Sequence, residues 1–596
     1  MNRETKQCQN CKTSFTIEPE DFKFYEKISV PPPTWCPECK LMRKMIWRNE
    51  RSLYRRTCNL CKKEILAIYP SKTLFPVYCH ECWWSDKWDA LDYGMEYNFS
   101  ESFFSQYRKL ENKVPRLALN NKNAINSEFV NQTGNIKNCY LVFGTAEAEN
   151  CMYGRRFIRS KDSMDCFEVE DCELCYENVF SRKNYDVLYA YNTQNSLSSR
   201  FLSECRNCAN CFLCVNLRNK QYHIGNAPYS KEEYYKEIKK YESLDINKTD
   251  SLLKELHDLK LRTPLKYRQD AQAINSSGDL LFNCRNIVSG INCHDAENCK
   301  NVTDVWFIKD SHDVFSTYGP IEMCYDTMAM GYGTYRAFFS FDSWPAVDAF
   351  YADHCYDSSH IFGCVNSRNK QYCILNRQYT KEEYEKLVPR IIEHMNQMPY
   401  TDKKGRVYRY GEFFPPELSP FSYNETIAQE YFPLTKEQAI EQGYSWKDPE
   451  PRNYQITLKT ADIPDHIKDA PDSILNDIIQ CAHHELGSSA SKCNEQCTEA
   501  FRIIPQELDF LRKQNLPLPR LCPNCRHYQR IKQRNPLKLW HRKCMCAGAK
   551  SENQVYSNTI AHEHGENHCE NNFETTYAPV RQEIVYCESC YLKEVV

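Results

Sequence analysis

Two distant stretches of this sequence, 8–82 and 493–590, carry one cysteine pattern in one register, and that duplication limits what the chain can fold into. In the first copy Cys8/Cys11, Cys36/Cys39, Cys58/Cys61 and Cys79/Cys82 are pairs with two intervening residues. Two residues between cysteines let a tight turn aim both sulfurs at one ion, and two such turns complete a tetrahedral four-thiolate site. At a constant offset of 486, Cys11, Cys36, Cys39 and Cys58 meet Cys497, Cys522, Cys525 and Cys544. Between them Phe15, Ile17, Pro19, Phe24, Lys27, Pro31, Pro33 and Pro37 meet Phe501, Ile503, Pro505, Phe510, Lys513, Pro517, Pro519 and Pro523. Chance does not preserve such a register without gaps.

Beyond Cys544 the offset becomes 508: Tyr78, Cys79 and Cys82 find Tyr586, Cys587 and Cys590, and Cys61 lands on Cys569. The second copy therefore carries a 22-residue insertion containing Cys546, His562, His564 and His568. Sequential pairing gives four metal sites: Cys8, Cys11, Cys36 and Cys39; Cys58, Cys61, Cys79 and Cys82; Cys493, Cys497, Cys522 and Cys525; and Cys544, Cys569, Cys587 and Cys590. A cross-braced pairing uses the same spacings. Cys546 is an alternative ligand in the fourth site, Cys481 with His483 or His484 is a further candidate for the third, and the inserted histidines read as a solvated loop. About four zinc ions per chain are expected.

Cys36-Pro-Glu-Cys39 and Cys522-Pro-Asn-Cys525, each leading into an expected helix, resemble the knuckles of the zinc-ribbon and treble-clef superfamily. The resemblance covers only the two ends and implies zinc binding but no particular activity. Between Cys39 and Cys58 lie 18 residues with seven Lys or Arg and one acid; the matching segment of the second copy has seven and none. Trp47, Tyr54, Tyr528 and Trp540 are interleaved. Positive charge beside flat rings suits contacts to phosphates and bases. The candidate nucleic-acid residues are Arg43, Lys44, Arg48, Arg51, Arg55, Arg56, Arg526, Arg530, Lys532, Arg534, Lys538 and Arg542. The plainer reading makes these segments short amphipathic helices packed through Met42, Met45, Ile46 and Leu53, with Arg48-Asn49 and Arg534-Asn535 as structural caps.

The centre holds a different repeat, with 211–238 matched by 361–388. Each unit ends in a charged helical stretch at a Tyr/Lys/Glu/Glu/Tyr cluster. Short apolar runs are punctuated by steps such as Asn138-Cys139, Asn150-Cys151, Asp165-Cys166, Asp171-Cys172, Asn207-Cys208, Asn283-Cys284 and Asn292-Cys293. Small cysteines stacked inside coils, with Asn and Asp at the corners, suit a parallel β-helix-like solenoid. The steps look unevenly spaced, and an antiparallel sheet is the alternative. Cys205, Cys208, Cys211 and Cys214 have the spacing of iron–sulfur ligands, but the internal copy places Cys355, Ser358, Ile361 and Cys364 there.

The expected fold is thus multidomain and β-rich, with duplicated zinc-knuckle modules flanking two β-solenoid repeats. The boundaries are 1–95, 120–262, 263–398, 399–480 as an extended connector, and 481–596. A formal net charge of −3 provides no global attraction to nucleic acid or anionic membrane. The first twenty residues lack the apolar core of a secretory signal, and no run of about 18 apolar residues could span a bilayer. With 34 cysteines and no export signal, a reducing, cytoplasmic setting and metal thiolates are expected. Seventeen glycines in 596 residues leave little for phosphate-cradling loops, and no Walker, dinucleotide or His-Glu-x-x-His motif is present. Three functions fit, in descending order: a non-enzymatic zinc protein binding RNA or DNA, a scaffold for protein partners, and a β-helix carbohydrate-active enzyme. The last would draw on Asp162, Asp165, Asp171, Asp310 and Asp313.

Overall fold

The computed structural model describes residues 2–450, 452, 454–485 and 495–595. It divides into two compact units, neither a continuous stretch of chain. One comprises Met1–Leu119, Arg268–Lys447 and Leu537–Leu539; the other comprises Asn120–Tyr267, Asp448–Pro536 and Trp540–Val596. The first cysteine module thus belongs with the second central repeat, and the second module with the first repeat.

The protein is rich in β-structure, and each repeat is a large, mostly parallel sheet. Nine strands run in sequence order from Tyr140–Phe143 to Ala227–Pro228, and eleven from Asp270–Ile274 to Arg377–Gln378. Only the last pair of each is antiparallel, which sets aside the antiparallel alternative. In the first repeat partners lie twelve residues apart, as in Tyr185↔Leu197 and Leu197↔Ala209.

The backbone that produces this register has a shorter period. From Asn123 to Tyr222 every third residue has a positive φ, a left-handed bend that costs about 1–2 kcal/mol for an ordinary L-residue and least for Asn, Asp and Gly. Twelve residues therefore contain four bends. Through the middle of the run the residue after the bend is buried, and in succession Cys166, Val169, Cys172, Cys175, Asn178, Ser181 and Asn184 are at most 1% exposed. So narrow an interior takes small side chains. Its thiols donate to backbone carbonyls two residues back and nine ahead, as Cys205 does to Ser203 and Cys214 at 3.5 Å. Outside, the Asn and Asp residues at the bends bond one another along ladders, Asn138 to Asn150 at 3.1 Å and Asn150 to Asp162 at 2.8 Å. In the second repeat the rhythm slips near Gly319 and Gly333, and the pairing offset there widens from twelve to thirteen.

Helices follow the repeats where the charged clusters begin, at Lys231–Ile238 and Lys381–Gln397, each opened by a capping box, Ser230 with Glu233 and Thr380 with Glu383. The connector has short helices at Ile427–Tyr431 and Lys436–Glu441. Its Phe413 and Phe414 are fully buried in the core of the first unit.

Candidate metal centres

Each cysteine quartet is built from a hairpin and a helix N-terminus. In the first, strands Glu4–Gln7 and Ser14–Ile17 pair antiparallel, so the loop between them carries Cys8 and Cys11. Cys36 is the N-cap of helix Pro37–Met45, which carries Cys39 in its first turn. In the second, strands Tyr54–Thr57 and Glu64–Ala67 hold Cys58 and Cys61, and Cys79 caps His80–Trp83. Lys12 and Lys62 take the left-handed turn that closes each loop. The backbone amides of Cys36 and Cys79 donate to the sulfurs of Cys8 and Cys58 at 3.3 Å, and the helix dipole favours the same charge.

The structure brings together Cys8, Cys11, Cys36 and Cys39, then Cys58, Cys61, Cys79 and Cys82. Pairing is therefore sequential. Sulfur–sulfur separations of 3.7 Å for Cys11–Cys36 and 3.8 Å for Cys61–Cys79 match the edge of about 3.8 Å that a tetrahedron with metal–sulfur bonds of about 2.3 Å requires. They are far beyond a disulfide bond of about 2.05 Å. In the second copy Cys544, Cys569, Cys587 and Cys590 form the expected fourth quartet, with Cys569 and Cys587 3.9 Å apart.

The third quartet differs from expectation. It consists of Cys481, Cys497, Cys522 and Cys525; Cys493 lies outside the described residues. Cys481 follows strand Ile479–Gln480, which pairs with Ala500–Phe501, and its sulfur accepts from the Cys522 amide at 3.2 Å. It thereby takes the place that Cys8 holds in the first copy. The signal was local: Gln480-Cys481 repeats Gln7-Cys8. The solvated-loop reading holds for the exposed His568 but is corrected for His562 and His564. His562 is buried, and Cys546, His562, His564 and Cys590 form a fifth group of ligand-type atoms within 4.8 Å of one another.

In each quartet at least one sulfur is drawn towards the thiolate, and in the third both Cys481 and Cys522 are. Hydrogen bonds from Cys36 and Cys39 lower Cys8, and those from Cys481, Cys497 and Cys525 lower Cys522. Burial raises Cys58, but the amides of Cys61 and Cys79 outweigh it and bring the thiol to about 7. Such a cluster shares protons that a soft cation would displace. Four converging thiolates fit a tetrahedral d¹⁰ ion and offer no open position for substrate.

Half of the candidate nucleic-acid residues are enclosed by the fold. Arg43, Lys44, Arg48, Arg56, Arg526 and Arg530 are buried, which corrects the nucleic-acid reading for these six. Lys40 reaches Asp313 at 2.8 Å, Lys44 reaches Asp326 at 2.5 Å, and Arg43 bridges Asp326 at 2.9 Å and Glu412 at 2.8 Å. In the other unit Arg526 pairs with Asp165 and with Glu507, and Arg530 reaches Asp165 at 2.8 Å and Glu177 at 2.9 Å. Arg48 pairs with Glu50, and Arg56 donates to the Pro70 carbonyl. Asn49 donates to the Ser52 and Ile68 carbonyls, and Asn535 to Thr576, so both Asn residues serve the local fold. Trp47 is core, 5.2 Å from Phe341 and from Phe414. Arg55, Lys532 and Lys538 are exposed, and Arg51, Arg534 and Arg542 are half-buried.

The acids considered for catalysis have structural partners. Asp162 and Asp310 cap Asn ladders, Asp171 pairs with Arg159, and Asp165 and Asp313 receive the buried cations. Among the described residues no helix is long and apolar enough to cross a membrane. Comparison with protein-family models, with curated proteins and with solved structures finds no match to this chain.

Proposed function

We propose that the chain is a non-enzymatic, zinc-dependent scaffold for protein partners, in which duplicated zinc knuckles of treble-clef type clamp two parallel β-solenoids. One observation carries this reading. Lys40 and Lys44 align with Arg526 and Arg530 in the duplicated helix, and their partners Asp313 and Asp326 align with Asp165 and Glu177 in the duplicated repeat. The contact between module and repeat is thus itself duplicated, acid for acid and base for base. A segment whose charge is neutralised inside its own fold has little left for a polyanion. Zinc is the ion of choice because the donors are thiolates in tetrahedral array and no redox partner is needed.

Fluorescence titration of the purified chain with single-stranded RNA and duplex DNA at low salt tests the reading. The scaffold predicts no salt-dependent binding. Binding that falls steeply with salt, and is lost when Arg55, Lys532 and Lys538 are changed to Glu, would establish the nucleic-acid alternative instead.

A further inference from the structure

The insertion in the second copy converts the fourth zinc site into something its counterpart around Cys58 is not. We propose that Cys544, Cys569, Cys587, Cys590, Cys546, His562 and His564 form a binuclear zinc centre, with the Cys590 thiolate bridging two ions. The inference rests on reading the fourth quartet as a zinc site.

Cys590 belongs to both groups, the four-thiolate one and the one formed with Cys546, His562 and His564. Two edges of the second group have the dimensions of a filled site. Cys546 Sγ lies 3.6 Å from His562 Nδ1, and Cys590 Sγ lies 3.5 Å from His564 Nε2. A tetrahedron with metal–sulfur bonds of about 2.3 Å and metal–nitrogen bonds of about 2.05 Å has a mixed edge of about 3.6 Å.

Both imidazoles are oriented from outside, as ligating histidines are. His562 Nε2 meets the Glu594 carboxylate at 2.8 Å, and both side chains are at most 1% exposed. Glu594 is itself fixed by the Tyr556 hydroxyl and the Thr559 amide, each at 2.9 Å. His564 Nδ1 meets the Asn567 carbonyl at 2.7 Å. With the outer nitrogens donating their protons to these acceptors, the inner nitrogens carry lone pairs and face the two sulfurs. A simple thiol–imidazole contact explains one such histidine; it does not explain two that arrive on one pair of sulfurs from opposite ring nitrogens. Sharing Cys590 also holds two divalent ions with fewer thiolates than two separate four-thiolate sites, which lowers the buried negative charge. A cleft of about 840 Å³ bordered by His564, His568, Cys569 and Cys590 supplies a route for the metal to enter. Both ions would be four-coordinate with protein ligands alone, so the centre is structural.

Native mass spectrometry of the full chain tests the proposal. The wild type should carry five zinc ions, the His562→Ala/His564→Ala variant four, and His564→Cys, which keeps a donor, five. Four ions in the wild type, or five in the alanine variant, would overturn the binuclear centre while leaving the quartets intact. Fewer than four in the wild type would overturn the quartet reading as well. Cobalt substitution supplies a readout in the unmutated protein. Two high-spin cobalt ions sharing a thiolate couple antiferromagnetically, so the paramagnetic resonance intensity of the fully loaded wild type should fall below that of the alanine variant. Equal intensity per bound ion in the two proteins would contradict the bridge.

Discussion

At Lys44 and Arg530, equivalent positions in two copies of one helix, a charge that reads as surface is held at most 1% exposed against carboxylates. Removing one member of such a buried pair leaves its partner charged and desolvated, at a cost of about 3–5 kcal/mol. Arg530→Met should therefore lower the denaturant-unfolding stability of the chain by that amount, whereas Arg55→Ala, at an exposed position, should change it by less than about 0.5 kcal/mol. The two acids at equivalent positions titrate differently. Burial raises Asp326, but Lys40, Lys44 and Arg43 overcome it and hold it at about 2. Glu177 faces Arg530 and Arg526 beside the like charge of Asp165, and burial pushes it up to about 7. Asp326 thus contributes stability above its ordinary range, lost only as the pH falls towards 2. Glu177 has the opposite sign: its contribution is complete below about 4.5 and is lost as the pH rises through 7. Melting temperatures measured from pH 5 to 8 should show that decline in the wild type and a flatter profile in Glu177→Gln. These cations were misread because a run of Arg and Lys looks the same whether its partner is a phosphate or an acid 282 or 353 residues away.

The repeat was legible in kind but not in period. Asn-Cys and Asp-Cys steps announced small inward cysteines and polar corners, and both are present. What looked irregular is a hidden regularity, because Asn138, Asn150, Asp165 and Asp171 are separated by multiples of three, the interval between left-handed bends. The period was obscured because many bends carry residues such as Leu141, Tyr153 and Phe180, whose side chains serve packing and whose backbone is held by the ladder. The bend itself predicts a substitution pattern. At Asn150, φ 55, valine should destabilise more than glycine, by about 1–2 kcal/mol, because both lose the ladder but only valine places a branched Cβ in the left-handed region. Comparing the urea midpoints of the two variants measures the difference. The cysteine run at 205–214 belongs to the same element, each thiol donating to backbone carbonyls along the interior.

Across the whole chain, the order module, repeat, repeat, module folds into units that join the first module to the second repeat and the second module to the first. Duplication made the cysteine quartets readable, because a spacing preserved over 486 residues leaves few alternatives. The exceptions, Cys481 and the group around His562, lie where the second copy departs from Cys-x-x-Cys spacing, and there register carries no information. The partnership of module and repeat was not legible, since it depends on pairings such as Lys40 with Asp313 and Arg526 with Asp165 that no local pattern announces. If thiolate-bound metal holds the knuckles that present these cations, the clamp and the metal form one cooperative system. Hydrogen exchange before and after stripping the metal with a chelator tests this most directly. Amides of Pro37–Met45 and Pro523–Gln533 should lose protection together with the strands they pack on, His312–Glu322 and Met152–Ile158. Helices and strands that stay protected in the metal-free chain would contradict it.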